Sequence, residues 1–113
     1  MKVRQSAMLP LRQQEECARL GALLARLRVA RKMKQTEAAL RAGISRNTAY
    51  RLEKGDPGLA LGQVLRYLQA IAPGSTLLDL LSENDPALLA LGERERTRRV
   101  RDLTAAELKE LDF

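Results

Sequence analysis

Apolar residues recur along the first third of the chain at helical spacing. Leu20, Leu23, Leu24, Leu27 and Ala30 stand at i, i+3, i+4, i+7 and i+10, a single stripe on one helix. Pro10 precedes the stripe and Arg19, Arg26, Arg28 and Arg31 surround it, so the pattern predicts a first helix over 11–32. A shorter helix is expected over 35–42, closed by Gly43, where a tight turn needs a positive φ. Ser45 suits the N-cap of a third helix over 46–54, and Gly55 stands just past its end. Asp56-Pro57-Gly58 is a turn signal. A fourth helix over 61–72 carries Leu61, Val64, Leu65, Leu68 and Ile71 on one face and ends at Pro73-Gly74. Thr76 and Asp79 form a capping box for a short fifth helix over 77–81.

Beyond it, Asn84-Asp85-Pro86 starts a sixth helix. Its apolar part, Leu88, Leu89 and Leu91, gives way to the charged run Glu93-Arg94-Glu95-Arg96. Thr104-Ala105-Ala106-Glu107 reads as one more capping box before a last turn ending at Phe113. There is no internal repeat and no low-complexity tract. The expected organisation is an N-terminal tail over 1–10, a five-helix domain over 11–82 and a C-terminal extension over 83–113.

Composition supports an all-α fold. Leu (22) and Ala (16) supply a third of the 113 residues, whereas Val and Ile together number six. Leu and Ala favour helix, and the β-branched residues that favour strands are scarce. Aromatic residues are only 3%, so the core must be aliphatic. His is absent and Cys17 is the only cysteine. That excludes a His-based catalytic dyad, a Cys/His zinc cage and an intrachain disulfide. Neither an enzyme nor a metal or organic cofactor is expected. No stretch approaches the roughly 20 apolar residues of a membrane span, and the start lacks the apolar run of a signal peptide. The expectation is a soluble, cytoplasmic protein with a reduced thiol.

Charge sharpens the picture. The net charge is +6, but residues 1–55 hold +9, residues 56–92 hold −3 and residues 93–113 balance. A basic excess confined to one half suits a face that meets a polyanion, although a solvated basic surface would show it too.

The informative stretch runs from Gln35 to Gly55. Two short helices joined by a glycine turn of about three residues make a helix-turn-helix unit. Projected at 100° per residue, Thr48, Ala49 and Leu52 of the third helix fall on one side. Arg46, Asn47, Tyr50, Arg51 and Lys54 fall within an arc of about 140° on the other. That outer face carries donors and amphipathic heads and no acid, as a helix lying in a DNA major groove requires.

With these residues in place the chain resembles the Xre/Cro-type (phage-repressor-like) helix-turn-helix proteins over about residues 20–81. The resemblance includes Leu20-Gly21, Arg28, Gln35, Gly43-Ile44-Ser45-Arg46 and Leu52-Glu53-Lys54-Gly55. Asp56-Pro57-Gly58 followed by Leu61-Gly62-Gln63-Val64-Leu65 looks like a branch rich in small repressors and antitoxins. The resemblance implies a compact five-helix domain of the phage-repressor type with a helical C-terminal extension. It implies that Gln35 grips the DNA backbone. It further implies that Arg46, Asn47 and Arg51 read bases, with Ser45 and Thr48 near the phosphates or groove edge. Arg28 and Glu53 match a buried ion pair joining the first helix to the recognition helix.

The chain departs from the family where Ala38 and Ala49 replace larger aliphatics, so the core there is expected to be thin unless Leu40 or a longer first helix fills it. Lys34 and Ala60 stand where Ser or Thr often caps a helix, forgoing about 1 kcal/mol each.

Other features have plainer readings beside the functional ones. Tyr50 either stacks on sugar or phosphate or covers its own helix. Lys54 and Lys32 suit phosphate neighbours better than base readers. Cys17 reads as a small helix-face residue. The run from Arg94 to Arg101 is either a second DNA contact or, as the interleaved Glu93, Glu95 and Asp102 favour, a solvated helix with i,i+4 pairs. Leu103, Leu108, Leu111 and Phe113 give the chain an apolar end, which can dock on its own core, on a second subunit or on a partner protein. The second subunit ranks first of these.

The expected function is a DNA-binding transcriptional regulator acting as a homodimer on a palindromic operator. The alternative is an antitoxin that neutralises a toxin encoded nearby and regulates its own operon.

Overall fold

Backbone geometry places helix wherever the apolar periodicity asked for it. The computed structural model describes the backbone of residues 5–111 and the side chains of residues 7–102. The elements are α1 (Gln5–Met8), α2 (Leu11–Ala30), α3 (Gln35–Ala42), α4 (Arg46–Glu53), α5 (Leu61–Ile71), α6 (Leu77–Ser82) and α7 (Pro86–Leu111), with no strand among the described residues.

Helices α2, α3 and α4 end in the same way. Met33 N–H bonds Arg28 O, Ile44 N–H bonds Ala39 O, and Asp56 N–H bonds Arg51 O, each reaching back five residues over a left-handed residue. This satisfies carbonyls that the helix end would leave unpaired. Gly43 (φ 69°) and Gly55 (φ 75°) serve α3 and α4, whereas α2 uses Lys32 at φ 57°. The reversal at Lys32 is why α2 stops at Ala30 rather than at the expected position 32. Glu83, after α6, is the other non-glycine residue at positive φ (56°) among the described residues.

Ser45 caps α4, its Oγ accepting Thr48 N–H at 3.0 Å, and Thr76 with Asp79 caps α6 as a reciprocal box. Ala60 cannot cap α5 through its side chain. Gln63 compensates in part by accepting Ala60 N–H on Oε1 at 3.2 Å.

The core gathers Leu23, Leu24 and Leu27 of α2, the alanines Ala38, Ala39 and Ala42 of α3, Ala49 and Leu52 of α4, and Tyr67, Leu68 and Ile71 of α5, closed by Leu80 and Leu88. Helix α3 packs on both α4 and α5, and α2 packs on α4 and α7. Two expectations need correction. The apolar face of α5 is rotated by about 45° from the one read in the sequence, so Leu61 and Leu65 are exposed and Tyr67 is the inward residue. Leu40 does not fill the thin region, being 81% exposed. Tyr67, at 0%, is the largest fully buried side chain in the cluster that holds Ala38 and Ala49. Small residues on α3 and α4 are thus matched by one large residue on α5.

Helix α7 is the third correction. It runs unbroken from Pro86 to Leu111, so Thr104 lies inside a helix instead of capping a new one. No glycine or proline stands between Glu93 and Phe113, and Ala105, Ala106 and Glu107 all favour helix. Asp85 caps its start, accepting Ala87 N–H at 2.9 Å. The first half docks on α2 through Leu88 and through ion pairs of Arg31 with Asp85 and Arg26 with Glu95.

Candidate nucleic-acid interface

Helix α4 is held by its inner face and both its ends. Ala49 and Leu52 are buried, and past the C-terminal end Gly55 meets α2 at near-contact distance. A methyl group built on Gly55 would lie 2.2 Å from Cys17 O, and one on Gly21 would lie 2.5 Å from Gly55 N. Both glycines are therefore required for the two backbones to cross.

Around the N-terminal end the turn is fixed by a residue not singled out in the sequence. Arg66 of α5 donates from Nη2 to Ala42 O (2.8 Å) and Gly43 O (3.0 Å), tying the last carbonyls of α3 to α5. A guanidinium at a helix C-terminus is favoured by unpaired carbonyls and by the helix dipole. Its sequence signal was a lone Arg in an acidic segment, which does not distinguish it from a surface charge.

The C-terminal end of α4 is anchored by a buried polar cluster. Arg28 donates from Nε to Glu53 Oε2 (2.7 Å) and from Nη2 to Oε1 (3.1 Å), as the resemblance implied. Side-chain exposure is only 17% for Arg28 and 7% for Glu53. Two further donors converge on the same carboxylate, Gln35 Nε2 on Oε1 at 3.0 Å and the Tyr67 hydroxyl on Oε2. Arg28 also donates from Nη1 to Met33 O at 2.9 Å, bracing the turn at Lys32. The bonds to Glu53 raise the Arg28 pKa above its ordinary value. Burial first, then the bond to Glu53, pushes the Tyr67 phenol well above its usual range. A buried carboxylate with four donor contacts is satisfied, and its value lies in fixing the relative placement of α2, α3, α4 and α5. Gln35, expected to grip DNA, thus commits one of its two side-chain amide protons to Glu53 inside the protein.

The outward face of α4 is exposed at Arg46, Asn47, Tyr50 and Lys54. Neither Arg46 nor Asn47 has a side-chain hydrogen bond or ion pair among the described residues. Lys54 Nζ lies 5.4 Å from the centre of the Tyr50 ring, within cation–π range. Ser45 Oγ donates to Thr48 Oγ1 at 2.9 Å, so these two hydroxyls are linked at the helix start. Arg51 is half-buried and bonds through Nε to Asp56 Oδ2 at 2.7 Å. Asp56 in turn accepts Gly58 N–H at 2.8 Å, and that bond together with Arg51 holds its carboxyl below the usual range. The side chains of Leu103, Leu108 and Leu111, and Phe113 altogether, lie outside the described residues.

Two short helices, a left-handed glycine between them and an acid-free outer face are the parts of a DNA-reading unit. A family model for the helix-turn-helix domain matches residues 19–81, more than half of the chain. The chain belongs to the helix-turn-helix domain family. The matched region is α2 through α6, with most of α2 and without α7, and this DNA-binding assignment agrees with the all-helical fold. No curated protein and no solved structure matches the chain. No helix among the described residues is long and apolar enough to cross a membrane, and no cluster of His, Cys, Asp or Glu there could hold a metal ion.

Proposed function

We propose that this helix-turn-helix protein is a sequence-specific transcriptional regulator of the Xre/Cro-like branch. It acts in the cytoplasm as a homodimer on a palindromic operator, with no cofactor and no catalytic activity. The observation that carries the reading is the outer face of α4, where Arg46 and Asn47 stand exposed without an internal partner. Arg46, Asn47 and Arg51 contact base edges, since Arg pairs with guanine O6 and N7 and Asn with adenine. Ser45, Thr48, Tyr50, Lys54 and Gln35 contact phosphate, sugar or the groove edge. Two copies place their α4 helices about 34 Å apart in successive major grooves, and occupancy of a promoter blocks it.

The test is binding of the full chain to its own upstream DNA and to a random duplex across a salt series. Affinity falls steeply with salt on both, and the upstream site is held more tightly. Arg46→Ala loses about 1–3 kcal/mol of discrimination, whereas Lys54→Ala weakens both duplexes alike and lowers the salt slope by about 1. Equal affinity of the native chain for both duplexes overturns the proposal.

An antitoxin reading makes the same DNA contact secondary to holding a toxin. What favours it is an apolar groove between α2 and α6, lined by Leu20, Leu23, Leu77 and Leu81 with Leu9, to which α4 contributes nothing. It requires that the product of an adjacent gene be toxic and co-purify with this chain. A non-toxic or non-binding neighbour removes it.

A further inference from the structure

We propose that the outer face of α7 pairs with the same face of a second copy, antiparallel and in one register. This deepens the two-copy reading above by naming its surface. Leu88 and Glu95 mark the side of α7 that faces α2, one buried in the core and the other paired with Arg26. About 120° round the helix from that side stand Leu89, Glu93, Arg96 and Val100 at i, i+4, i+7 and i+11, the 3.5-residue spacing of a coiled-coil seam. Leu89 is 58% and Val100 63% exposed. Between them Glu93 and Arg96 form an exposed ion pair.

Charge selects the orientation. A parallel, in-register pair would set Glu93 against Glu93 and Arg96 against Arg96. An antiparallel pair sets Leu89 opposite Val100, Glu93 opposite Arg96, and then the same two layers in reverse. Every layer is complementary, and the arrangement closes on a two-fold axis.

Two further observations call for such a partner. Past Glu95, which pairs with Arg26 of α2, residues 96–102 are exposed for nearly two turns, in a molecule 67 Å long and 32 Å across. A helix segment beyond the core lacks the tertiary packing that gives most helices in proteins their stability. In the pair, residues 96–102 of each copy lie along residues 87–93 of the other. Gly92 flanks the seam, and a Cβ there would meet nothing within 4 Å in its own protomer. Glycine inside a helix costs stability against alanine, so its own subunit gains nothing from it.

The test uses the full chain by analytical ultracentrifugation without DNA. Glu93→Arg alone or Arg96→Glu alone places like charges in two layers and weakens self-association about tenfold or more. The double variant Glu93→Arg, Arg96→Glu restores it, and the two single variants mixed together pair with each other. In a Cys17→Ser background, Leu89→Cys with Val100→Cys gives an oxidised, covalent dimer, whereas Leu89→Cys alone does not. A dimer indifferent to both single reversals, or a loss that the double variant does not rescue, overturns this seam while leaving two-copy binding intact. A monomer at every concentration overturns both. Rescue in the double variant without operator discrimination leaves the seam standing and removes the regulator reading.

Discussion

Gly21 and Gly55 touch where α2 crosses the end of α4, with room for no side-chain atom on either. A Cβ at Gly21 would also fall 2.6 Å from Leu52 O and 2.8 Å from Glu53 O, all backbone atoms that cannot swing aside. Gly21→Ala is therefore expected to lower unfolding free energy by at least about 2 kcal/mol, in the range of overpacking changes. Gly62, on α5, has nothing within 4 Å of its Cβ position, and Gly62→Ala is expected to stabilise by up to about 1 kcal/mol. Urea melts of the two variants check the opposite signs.

Tyr67→Phe keeps the volume of the largest buried side chain but removes one donor from Glu53. The expected cost is about 1–2 kcal/mol, against no measurable change for the exposed Tyr50→Phe. A raised phenol pKa adds a sign. The unfolded chain loses the Tyr67 proton near pH 10 while the folded chain keeps it, so stability falls as pH rises above about 10. Tyr67→Phe flattens that alkaline limb, and chemical denaturation at pH 8 and pH 11 reads it.

At the acid end two carboxylates act in the other direction. Asp56 is held below its usual range by Gly58 N–H and Arg51. At Asp85 burial pushes upward, but Arg31 and the Ala87 N–H outweigh it and the net shift is also downward. A depressed folded pKa gives stability that is complete above about pH 4 and is lost as pH falls through the folded value. Asp85→Asn and Asp56→Asn are each expected to reduce stability at pH 6 and to make it less sensitive to pH below 4. Thermal melts across that range check both.

How much was legible beforehand differs from element to element. The outer face of α4 was readable because its caps, Ser45 and Gly55, fix the helix limits and hence the phase of every residue between them. The inward face of α5 was not. Leucines at 61 and 65 give a stripe as convincing as the true one, and only the shared core, where Tyr67 lies in one cluster with the alanines of α3 and α4, selects it. The Arg28–Glu53 pair came from the resemblance alone, and its two extra donors, Gln35 and Tyr67, are contacts over 18 and 14 residues that no local pattern encodes. Arg66 likewise acts on carbonyls 23 and 24 residues away. Thr104 shows the reverse case, in which a capping signature lost to a run of strong helix formers on either side.

The left-handed residues Lys32 and Glu83 leave the domain short of its thermal ceiling. A side chain in that conformation costs about 1–3 kcal/mol, and glycine would return part of this after its greater freedom in the unfolded chain is deducted. Lys32→Gly and Glu83→Gly, combined, should raise the melting temperature without altering a single residue of α4. Heat tolerance in this protein is thus adjustable from two turns that lie outside α4.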